Sequence, residues 1–251
     1  MAEDEMQRGE TAMKLPEPVA DSLEGFETTW EDRKTGSEAQ VFRFVRPGIQ
    51  GRYLKISSSR KDASLEREAE RMRWLAGKLP VPQVICYHRE GAVEHLVTTE
   101  LPGASSHRAE HRDDIPGLIR ILAAGLQMIH RLPTDGCPFD ATVAALLAQS
   151  LTRVSDPEVL DYLREGRPES EDLVFTHGDY CLPNILVDRG RLGGFIDWGY
   201  AGVGDRYRDL SSCAWSVGHN LGEEWIPFFF AAYGVVIDQE KFDYYGSVEV
   251  S

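Results

Sequence analysis

The segment Leu173–Asp209 constrains the fold of this chain more than any other part of the sequence. It begins with a short apolar run, Leu173–Thr176, which is typical of a buried strand and leads into a polar loop. Two further strand-like runs, Ile185–Asp188 and Leu192–Ile196, are joined by the turn residues Arg189–Gly190. Because a hairpin folds back on itself, we expect the loop before it and the loop after it to lie side by side.

Polar side chains stand in both of these loops. Asp179 and Asn184 precede the hairpin, and Asp197 follows it. Asp and Asn are also common turn residues where strands end, which is the simpler interpretation. Two carboxylates and one amide that converge on one place, however, make an all-oxygen site of the kind that suits Mg²⁺. The sequence therefore predicts a magnesium site between these loops.

A second constraint comes from the clearest helix in the chain, which is predicted over Asp62–Ala76. Asp62 or Ser64 can cap its start, and Gly77 stops it. Glu68 falls on its apolar stripe, whose other members are Leu65, Met72 and Leu75. A carboxylate on a face that packs against the core needs a partner, because an unpaired buried charge is strongly destabilising.

The remaining sequence divides into a strand-rich part and a helix-rich part. Before residue 100, short alternating runs predict strands at Val41–Val45, Arg52–Ile56, Gln83–His88 and His95–Thr99. After it, longer runs predict helices at Ile115–His130, Ala141–Ser150 and Pro157–Arg164. We therefore expect an α+β chain with a flexible acidic tail (1–20), an N-terminal lobe (21–100), a C-terminal lobe (101–251) and a cleft between the lobes.

Charge and cysteine content exclude several classes of protein. Forty-one acidic and 27 basic residues give a net charge of −14, whereas nucleic-acid binding requires clustered Lys and Arg. A negative field attracts a cationic small molecule, although it also keeps a protein soluble. The 4 cysteines lack the spacing of a zinc site or a disulfide framework. The polar first residues and the shortness of the most apolar run, Trp225–Ile237, predict a cytoplasmic protein without a membrane partner.

Together these residues match the requirements of phosphoryl transfer. The reaction needs a carboxylate that orients the acceptor hydroxyl and takes its proton, oxygen ligands for Mg²⁺, and a cation on the nucleotide phosphates. Asp179 suits the first role, and Asn184 and Asp197 suit the second. Lys55 suits the third, and its pairing with Glu68 explains the acid on the apolar stripe. An ordinary structural ion pair is the alternative interpretation of Lys55 and Glu68.

Several sequence blocks in this order resemble the aminoglycoside phosphotransferases, which are relatives of the protein kinases. The blocks are His177-Gly178-Asp179 with Asn184, Ile196-Asp197-Trp198-Gly199, and Gly204–Leu210. Further blocks resemble the branch that phosphorylates the 3′-hydroxyl, namely Leu65–Pro82, Cys137-Pro138-Phe139 and Leu221–Glu224. The resemblance extends roughly from Thr28 to Tyr245.

The resemblance implies a bilobal protein-kinase-like fold, with a small antiparallel-sheet N-terminal lobe and a larger, mostly helical C-terminal lobe. It implies an enzyme that uses ATP or GTP with Mg²⁺ to phosphorylate an aminoglycoside, a cationic small molecule, at the 3′-hydroxyl, and so gives antibiotic resistance. Asp179 would be the catalytic base, and Asn184 and Asp197 would bind magnesium.

The resemblance also implies roles around the nucleotide. Lys55 would contact the phosphates, and Glu68 would hold Lys55. The other nucleotide contacts would be Ser37 in the loop above the phosphates, Tyr53 against the adenine ring, and the hinge residues Thr99 and Leu101. His177 would brace the catalytic loop, whereas Asp205 and Asp209 would be structural.

The acceptor side departs from the family pattern. Tyr200 stands where the family has Arg, and His219 stands where relatives often have an acid. The stretch between Phe139 and Leu173 is short, and the usual Asp-Glu-aromatic ending is missing. Carboxylates are the natural partners of a polycationic drug. One alternative is therefore a kinase-like enzyme that acts on a macrolide, choline, homoserine or a sugar.

Two other classes stay open. A nucleotide-binding pseudokinase would bind ATP without turnover. A metal-dependent hydrolase would use the acids Asp179, Asp197, Asp205 and Asp209, but it would leave Lys55 and Glu68 without a role. The sequence is compatible with a monomer and with a homodimer.

Overall fold

A computed structural model of the chain describes residues 14–29, 39–58, 64–150 and 165–248. Within these residues, 5 strands form an antiparallel sheet in the N-terminal part, in the order β1-β2-β3-β5-β4. The strands are β1 (Glu27–Thr29), β2 (Gln40–Arg46), β3 (Ile49–Ser57), β4 (Val84–Glu90) and β5 (Val93–Thr99). Each predicted strand of this part is present, with ends that differ by up to a few residues, as is usual for strand boundaries.

Helix α2 (Leu65–Leu75) packs against β4 and β5 of this sheet. Ser64 caps it by accepting a hydrogen bond from Arg67 N at 3.5 Å. Glu94 on β5 also accepts a hydrogen bond from Leu65 N at 2.8 Å, so the sheet itself supports the start of the helix. The helix buries the predicted stripe, including Glu68, and this sets the direction in which Glu68 points.

The opposite face of the sheet is covered by a short helix, α1 (Glu17–Asp21). Val19 is fully buried there, in an apolar cluster with Leu23, Phe42, Phe44, Leu54 and Val97. The prediction of a flexible tail over residues 1–20 is therefore wrong for the end of that range. A helix of 5 residues is too short to show hydrophobic periodicity, which is why the sequence pattern misses it.

The chain beyond residue 100 contains helices and two small antiparallel sheets. The helices are α3 (Ile115–His130), α4 (Val143–Ser150), α5 (Tyr207–Leu221), α6 (Ile226–Tyr233) and α7 (Gln239–Val248), with 3₁₀ turns at Ala109–Asp114, Leu182–Asn184 and Glu223–Trp225. One sheet has the order β6 (Ala104–Ser105), β8 (Ile185–Asp188), β9 (Arg191–Phe195), and the other pairs β7 (Leu173–Thr176) with β10 (Gly202–Asp205).

The structure agrees with the predicted α3, β7 and β8, and with the hairpin of β8 and β9. Strands β6 and β10 are not predicted. Strand β6 has only 2 residues, and β10 contains two glycines and an aspartate, which are uncommon in strands. The predicted helix Pro157–Arg164 lies outside the described residues. No helix in the described ranges combines the length and the apolar content that a bilayer crossing requires.

One apolar core joins the two parts of the chain. It runs from Leu75 of α2 and Leu96 of β5 to Ile119 of α3, Phe195 of β9 and Trp198. A shared core of this kind holds α2 in register with the loops around β7–β9. The predicted site residues on α2 and on these loops are therefore held in fixed relative positions by the core.

Candidate active site

Lys55 stands at the centre of the site, on β3. Its Nζ atom lies 2.8 Å from Glu68 Oε1 of α2 and 3.1 Å from Asp197 Oδ1, which follows the β8–β9 hairpin. The acid on the apolar stripe therefore has its partner. The contact with Asp197 is one that the sequence analysis did not foresee, since it joins residues 142 positions apart. Lys55 is therefore held by one carboxylate from α2 and one from the loop after the hairpin.

The charges in this cluster reinforce each other. Burial by itself lowers the pKa of Lys55, but the negative charges of Asp197 and Glu68 outweigh it and raise that pKa above its usual range. The charge of Lys55 in turn lowers the pKa of Asp197 against the effect of burial. Burial raises the pKa of Glu68 despite the opposing attraction of Lys55. At neutral pH, Lys55 is a fixed cation and Asp197 is ionised.

Gly178 sets the shape of the catalytic loop that follows β7. Its φ angle is +83°, and a Cβ atom at this position would collide with the carbonyl oxygen of Tyr200. Asp209 of α5 accepts hydrogen bonds from His177 N and Gly178 N, both at 2.7 Å. These bonds fix the two backbone N–H groups that precede Asp179.

His177 connects this loop to the loop that carries Asp197. Its Nε2 atom donates to the carbonyl oxygen of Ile196 at 3.0 Å, and its Nδ1 atom accepts from Asp179 N at 3.3 Å. Both ring nitrogens are satisfied only in the neutral form with the proton on Nε2. The predicted bracing role of His177 has a defined geometry in these two bonds.

Asn184 lies beside Asp179 at the end of the same loop. Its Nδ2 atom donates to Asp179 Oδ2 at 2.7 Å and to the Asp179 carbonyl oxygen at 3.0 Å. The Asn184 backbone carbonyl oxygen accepts a hydrogen bond from Ile196 N at 3.0 Å, and Asp197 is the next residue along the chain. Asp197 itself has a φ angle of +70°, an uncommon conformation that turns its side chain toward Lys55. The structure thus brings together Asp179, Asn184 and Asp197.

The residues present fit magnesium better than a metal held by the protein alone. Throughout the described part of the chain, three or more His, Cys, Asp or Glu side chains never form a group that could hold a metal ion. Asn184 and Asp197 offer two kinds of hard oxygen donor in adjacent loops. Mg²⁺ is commonly bound by one or two such side chains together with phosphate oxygens of a nucleotide.

A buried polar chain supports the loop from behind. His130, at the end of α3, contacts Asp209 Oδ2 through Nε2 at 3.0 Å and the Tyr233 hydroxyl through Nδ1 at 2.7 Å. Burial alone would raise the pKa of Asp209, but hydrogen bonds from His130 and His177 N lower it. The predicted structural role of Asp209 is thus supported by its contacts. Its contact with His130 has no local sequence signal, because the two lie 79 positions apart.

The buried His177 makes stability depend on pH. Burial is the main cause that lowers its pKa, so the folded protein binds this proton at a lower pH than the unfolded chain, whose histidine has its usual pKa of about 6.5. Acid therefore favours unfolding, and we expect the free energy of unfolding to fall by up to ~1.4 kcal/mol per pH unit below about pH 6.5. Urea titrations at pH 7.5 and 5.5 measure this loss, and His177→Gln should reduce it. An equal loss in this variant would show that His177 is not its source.

Of the predicted nucleotide contacts, Tyr53, Thr99 and Leu101 are among the described residues, whereas Ser37 falls outside them. Tyr53 is two residues before Lys55 on β3 and therefore shares its face of the sheet. Thr99 is already bonded to Gln83, through Thr99 N at 2.9 Å and Oγ1 at 2.9 Å. Leu101 follows the end of β5 and reaches the backbone at Gly194 of β9. Their roles toward a nucleotide stay predictions.

Two residues that depart from the family pattern have defined contacts in the structure. The Tyr200 carbonyl oxygen accepts from Arg208 Nη1 of α5 at 3.0 Å. His219 lies on α5, with its ring stacked on that of Trp215. Trp215 is exposed although the helix is mostly buried, which the sequence pattern does not indicate.

The site has the parts that a kinase-like phosphotransferase requires. They are a lysine on a sheet paired with a glutamate on a helix, a carboxylate on the loop after β7, and an amide and a second carboxylate that follow it. The chain belongs to the phosphotransferase enzyme family (APH), whose model matches residues 29–245. The family and the fold class predicted from the sequence are thereby confirmed.

Individual relatives agree with this assignment. The chain is 33% identical over 212 residues to an aminoglycoside 3′-phosphotransferase of Niallia circulans, and the match covers 77% of this chain and 80% of the relative. Its structure is similar to the crystal structure of an aminoglycoside-3′-phosphotransferase of type VIII, with 26% identity, a TM-score of 0.74 and coverage of 93% and 99% of the two chains. It is also similar to APH(3″)-Id of Streptomyces rimosus in complex with ADP and streptomycin, with 25% identity, a TM-score of 0.72 and coverage of 92% and 94%.

Proposed function

We propose that this protein is an aminoglycoside 3′-phosphotransferase, which transfers the γ-phosphoryl group of ATP to the 3′-hydroxyl of the antibiotic in the cytoplasm. The observation that carries the proposal is the single cluster formed by Asp179, Asn184, Asp197, Lys55 and Glu68. The relatives named above are aminoglycoside phosphotransferases, and one of them binds ADP and streptomycin. The division into lobes at residue 100 belongs to the same proposal.

Asp179 acts on the acceptor. Its carboxylate orients the hydroxyl and takes its proton as the hydroxyl oxygen forms a bond to the γ-phosphorus. The bond between that phosphorus and the bridging oxygen of ATP breaks, and ADP leaves. Asn184 Nδ2 bonds to Asp179 Oδ2 and so fixes the carboxylate in one orientation before the substrate arrives.

The nucleotide phosphates are bound by charged groups. Lys55, kept cationic by Glu68 and Asp197, binds phosphate oxygens. Asn184 and Asp197 would hold Mg²⁺, which supplies neutralisation of the charge on the phosphates. Because these groups are already in place in the folded protein, most of the acceleration comes from positioning and fixed electrostatics. Tyr53 packs against the adenine ring in this scheme, and the hinge at Thr99 and Leu101 meets its edge.

ADP release from ATP and Mg²⁺ tests the proposal. The acceptors are kanamycin, a 3′-deoxy aminoglycoside, choline, homoserine and a macrolide. We expect ADP release with kanamycin and none above background with the 3′-deoxy drug, because only the former offers the hydroxyl. ADP release with a non-aminoglycoside alone would instead support a kinase-like enzyme for another hydroxylated acceptor. Tyr200 in place of Arg and His219 in place of an acid are the reasons to test this second candidate function. ATP binding without release on every acceptor would support a pseudokinase.

A further inference from the structure

Arg71 lies on α2, one helical turn after Glu68, and reaches the loop that carries Asp197. Its Nε atom donates a hydrogen bond to the backbone carbonyl oxygen of Ala201 at 2.6 Å. Residues three apart on a helix are neighbours on its surface, so Glu68 and Arg71 lie side by side on α2. Helix α2 is therefore attached to this loop twice, through Lys55 to Asp197 and through Arg71 to Ala201.

Two further contacts hold the guanidinium group of Arg71 in place. Its Nη1 atom donates to the carbonyl oxygen of Arg67, one turn earlier in α2, at 3.2 Å. Its Cζ atom lies over the ring of Phe139, 4.7 Å from the ring centroid. The Phe139 carbonyl oxygen in turn accepts from Val203 N of β10 at 2.8 Å. The guanidinium group is thus already oriented toward the loop in the folded protein, before a substrate binds.

The loop over residues 197–201 needs such support because of its backbone conformation. The φ angle of Asp197 is +70°, and a residue other than glycine keeps this conformation only where its surroundings enforce it. Near the start of the loop, the buried Trp198 donates from Nε1 to the Phe195 carbonyl oxygen at 3.1 Å. At the end of the loop, Arg71 holds the carbonyl oxygen of Ala201. Asp197 is therefore enclosed between two fixed points.

A second arginine bonds to the same loop from a different element. Arg208 of α5 donates from Nη1 to the Tyr200 carbonyl oxygen at 3.0 Å. Helix α5 and the loop both belong to the part of the chain beyond residue 100, so this bond fixes the loop within that part. Arg71 comes from α2, in the part before residue 100. Its bond therefore helps to set the distance between Asp197 and Lys55, which belong to different parts of the chain.

We propose that Arg71 is a positioning residue for phosphoryl transfer, which keeps Asp197 aligned with Lys55 on the nucleotide phosphates and Mg²⁺. The inference rests on the proposed function and adds to it a residue that acts through the backbone of the loop. Because the group that it positions is the metal-binding carboxylate, loss of the bond to Ala201 should weaken ATP binding in the presence of Mg²⁺. ATP binding without Mg²⁺ should change little.

Equilibrium binding of ATP with and without Mg²⁺ tests this inference, because it needs no acceptor. Arg71→Met keeps an unbranched stem beside Phe139 but has no donor for the Ala201 carbonyl oxygen. Its Kd for ATP with Mg²⁺ should rise by about 10-fold, as the loss of a hydrogen bond from a charged group predicts, and without Mg²⁺ by no more than about twofold. Arg71→Lys should recover part of the affinity, because its ammonium group can donate to the same carbonyl oxygen. Arg73→Met is the matched control, since Arg73 is an exposed arginine on α2, and it should bind ATP as the wild type does.

Hydrogen exchange of the free protein gives a second measurement, which involves neither metal nor nucleotide. In Arg71→Met, the backbone amides of residues 197–201 should exchange about 10-fold faster, because local opening of the loop becomes easier when the bond is lost. The amides of α5 should keep their wild-type rates. Arg73→Met should leave both segments unchanged.

An unchanged magnesium response or unchanged exchange of the loop in Arg71→Met would overturn the inference. A uniform rise in exchange over the whole chain would also overturn it, because it would show a general loss of stability. If the wild type binds ATP with Mg²⁺ but phosphorylates no aminoglycoside, the proposed function fails, and the same two measurements still decide about Arg71. A wild type whose ATP binding does not respond to Mg²⁺ would overturn both.

Discussion

Asp179→Asn is expected to lower kcat by about 10³-fold, within the range by which a general base accelerates proton transfer. The substitution keeps the size of the side chain but removes the negative charge that accepts the proton of the hydroxyl. Because the described contacts of Lys55 are with Glu68 and Asp197 and not with Asp179, ATP affinity should change by no more than about twofold. Turnover with kanamycin and equilibrium binding of a nucleotide to the same preparations measure the two effects.

Asp188→Asn is the matched control for this variant. Asp188 is a partly exposed aspartate at the end of β8, where it pairs with Arg189 in the hairpin turn. It belongs to the same hairpin region but makes no contact with the Lys55 cluster among the interactions described above. Its kinetics should match those of the wild type. Loss of ATP binding in Asp179→Asn, with kcat for bound nucleotide preserved, would move Asp179 from the acceptor side to the nucleotide side.

Asp197→Asn is expected to lower kcat by a similar factor, about 10³-fold, but through a different step, because it removes a charge that stabilises the transferring phosphates. The variant keeps the shape of the side chain but loses its charge toward Lys55, 3.1 Å away, and toward a metal ion. The KM for ATP should therefore rise together with the fall in kcat, in contrast to Asp179→Asn.

A magnesium titration of nucleotide binding separates the contributions of Asp197. Wild-type protein should bind ATP more tightly as Mg²⁺ is added, and Asp197→Asn should show a much weaker response. Lys55 should still be held by the buried Glu68 in the variant, since that pair is 2.8 Å apart, so the fold should persist in thermal unfolding. A full magnesium response in Asp197→Asn would assign the metal to other groups.

The local parts of this fold follow directly from the sequence. Helix α3 and strand β7 have the predicted bounds, because a long amphipathic run and a short apolar run flanked by loop residues are strong signals. The hairpin of β8 and β9 follows from its turn residues Arg189 and Gly190, both of which have positive φ angles. The convergence of Asp179 and Asn184 with the loop of Asp197 follows from that hairpin.

Other parts depend on contacts that the sequence does not encode locally. The pair of Lys55 and Glu68 could be predicted because an acid on an apolar stripe requires a partner. The ion pair of Lys55 with Asp197 depends instead on how the two lobes pack against each other. The His130 contact to Asp209 and the exposure of Trp215 likewise depend on tertiary packing. The exposure of Trp215 also runs against the tendency of tryptophan to be largely buried.

The two sides of the cleft differ in their relation to the family pattern. On the nucleotide side, the described residues that the pattern requires are present and in contact, from Glu68 through Lys55 to Asp197. On the acceptor side, Tyr200 and His219 have aromatic rings where the family pattern has Arg and, often, an acid. Aromatic faces bind ammonium groups less strongly than buried carboxylates, and they add shape selection through the flat ring. We therefore expect a narrower range of aminoglycosides than a carboxylate-lined site would accept.

The most direct measurement is phosphorus–proton correlated NMR of the product formed from kanamycin, ATP and Mg²⁺ by the wild-type protein. The predicted result is a single phosphorylated product whose phosphorus couples to the proton at C3′, formed in equal amount with ADP and absent with Asp179→Asn. Recovery of unmodified kanamycin from a protein that binds ATP, or a phosphate on a different hydroxyl, would contradict the assignment of this site to phosphoryl transfer at the 3′ position.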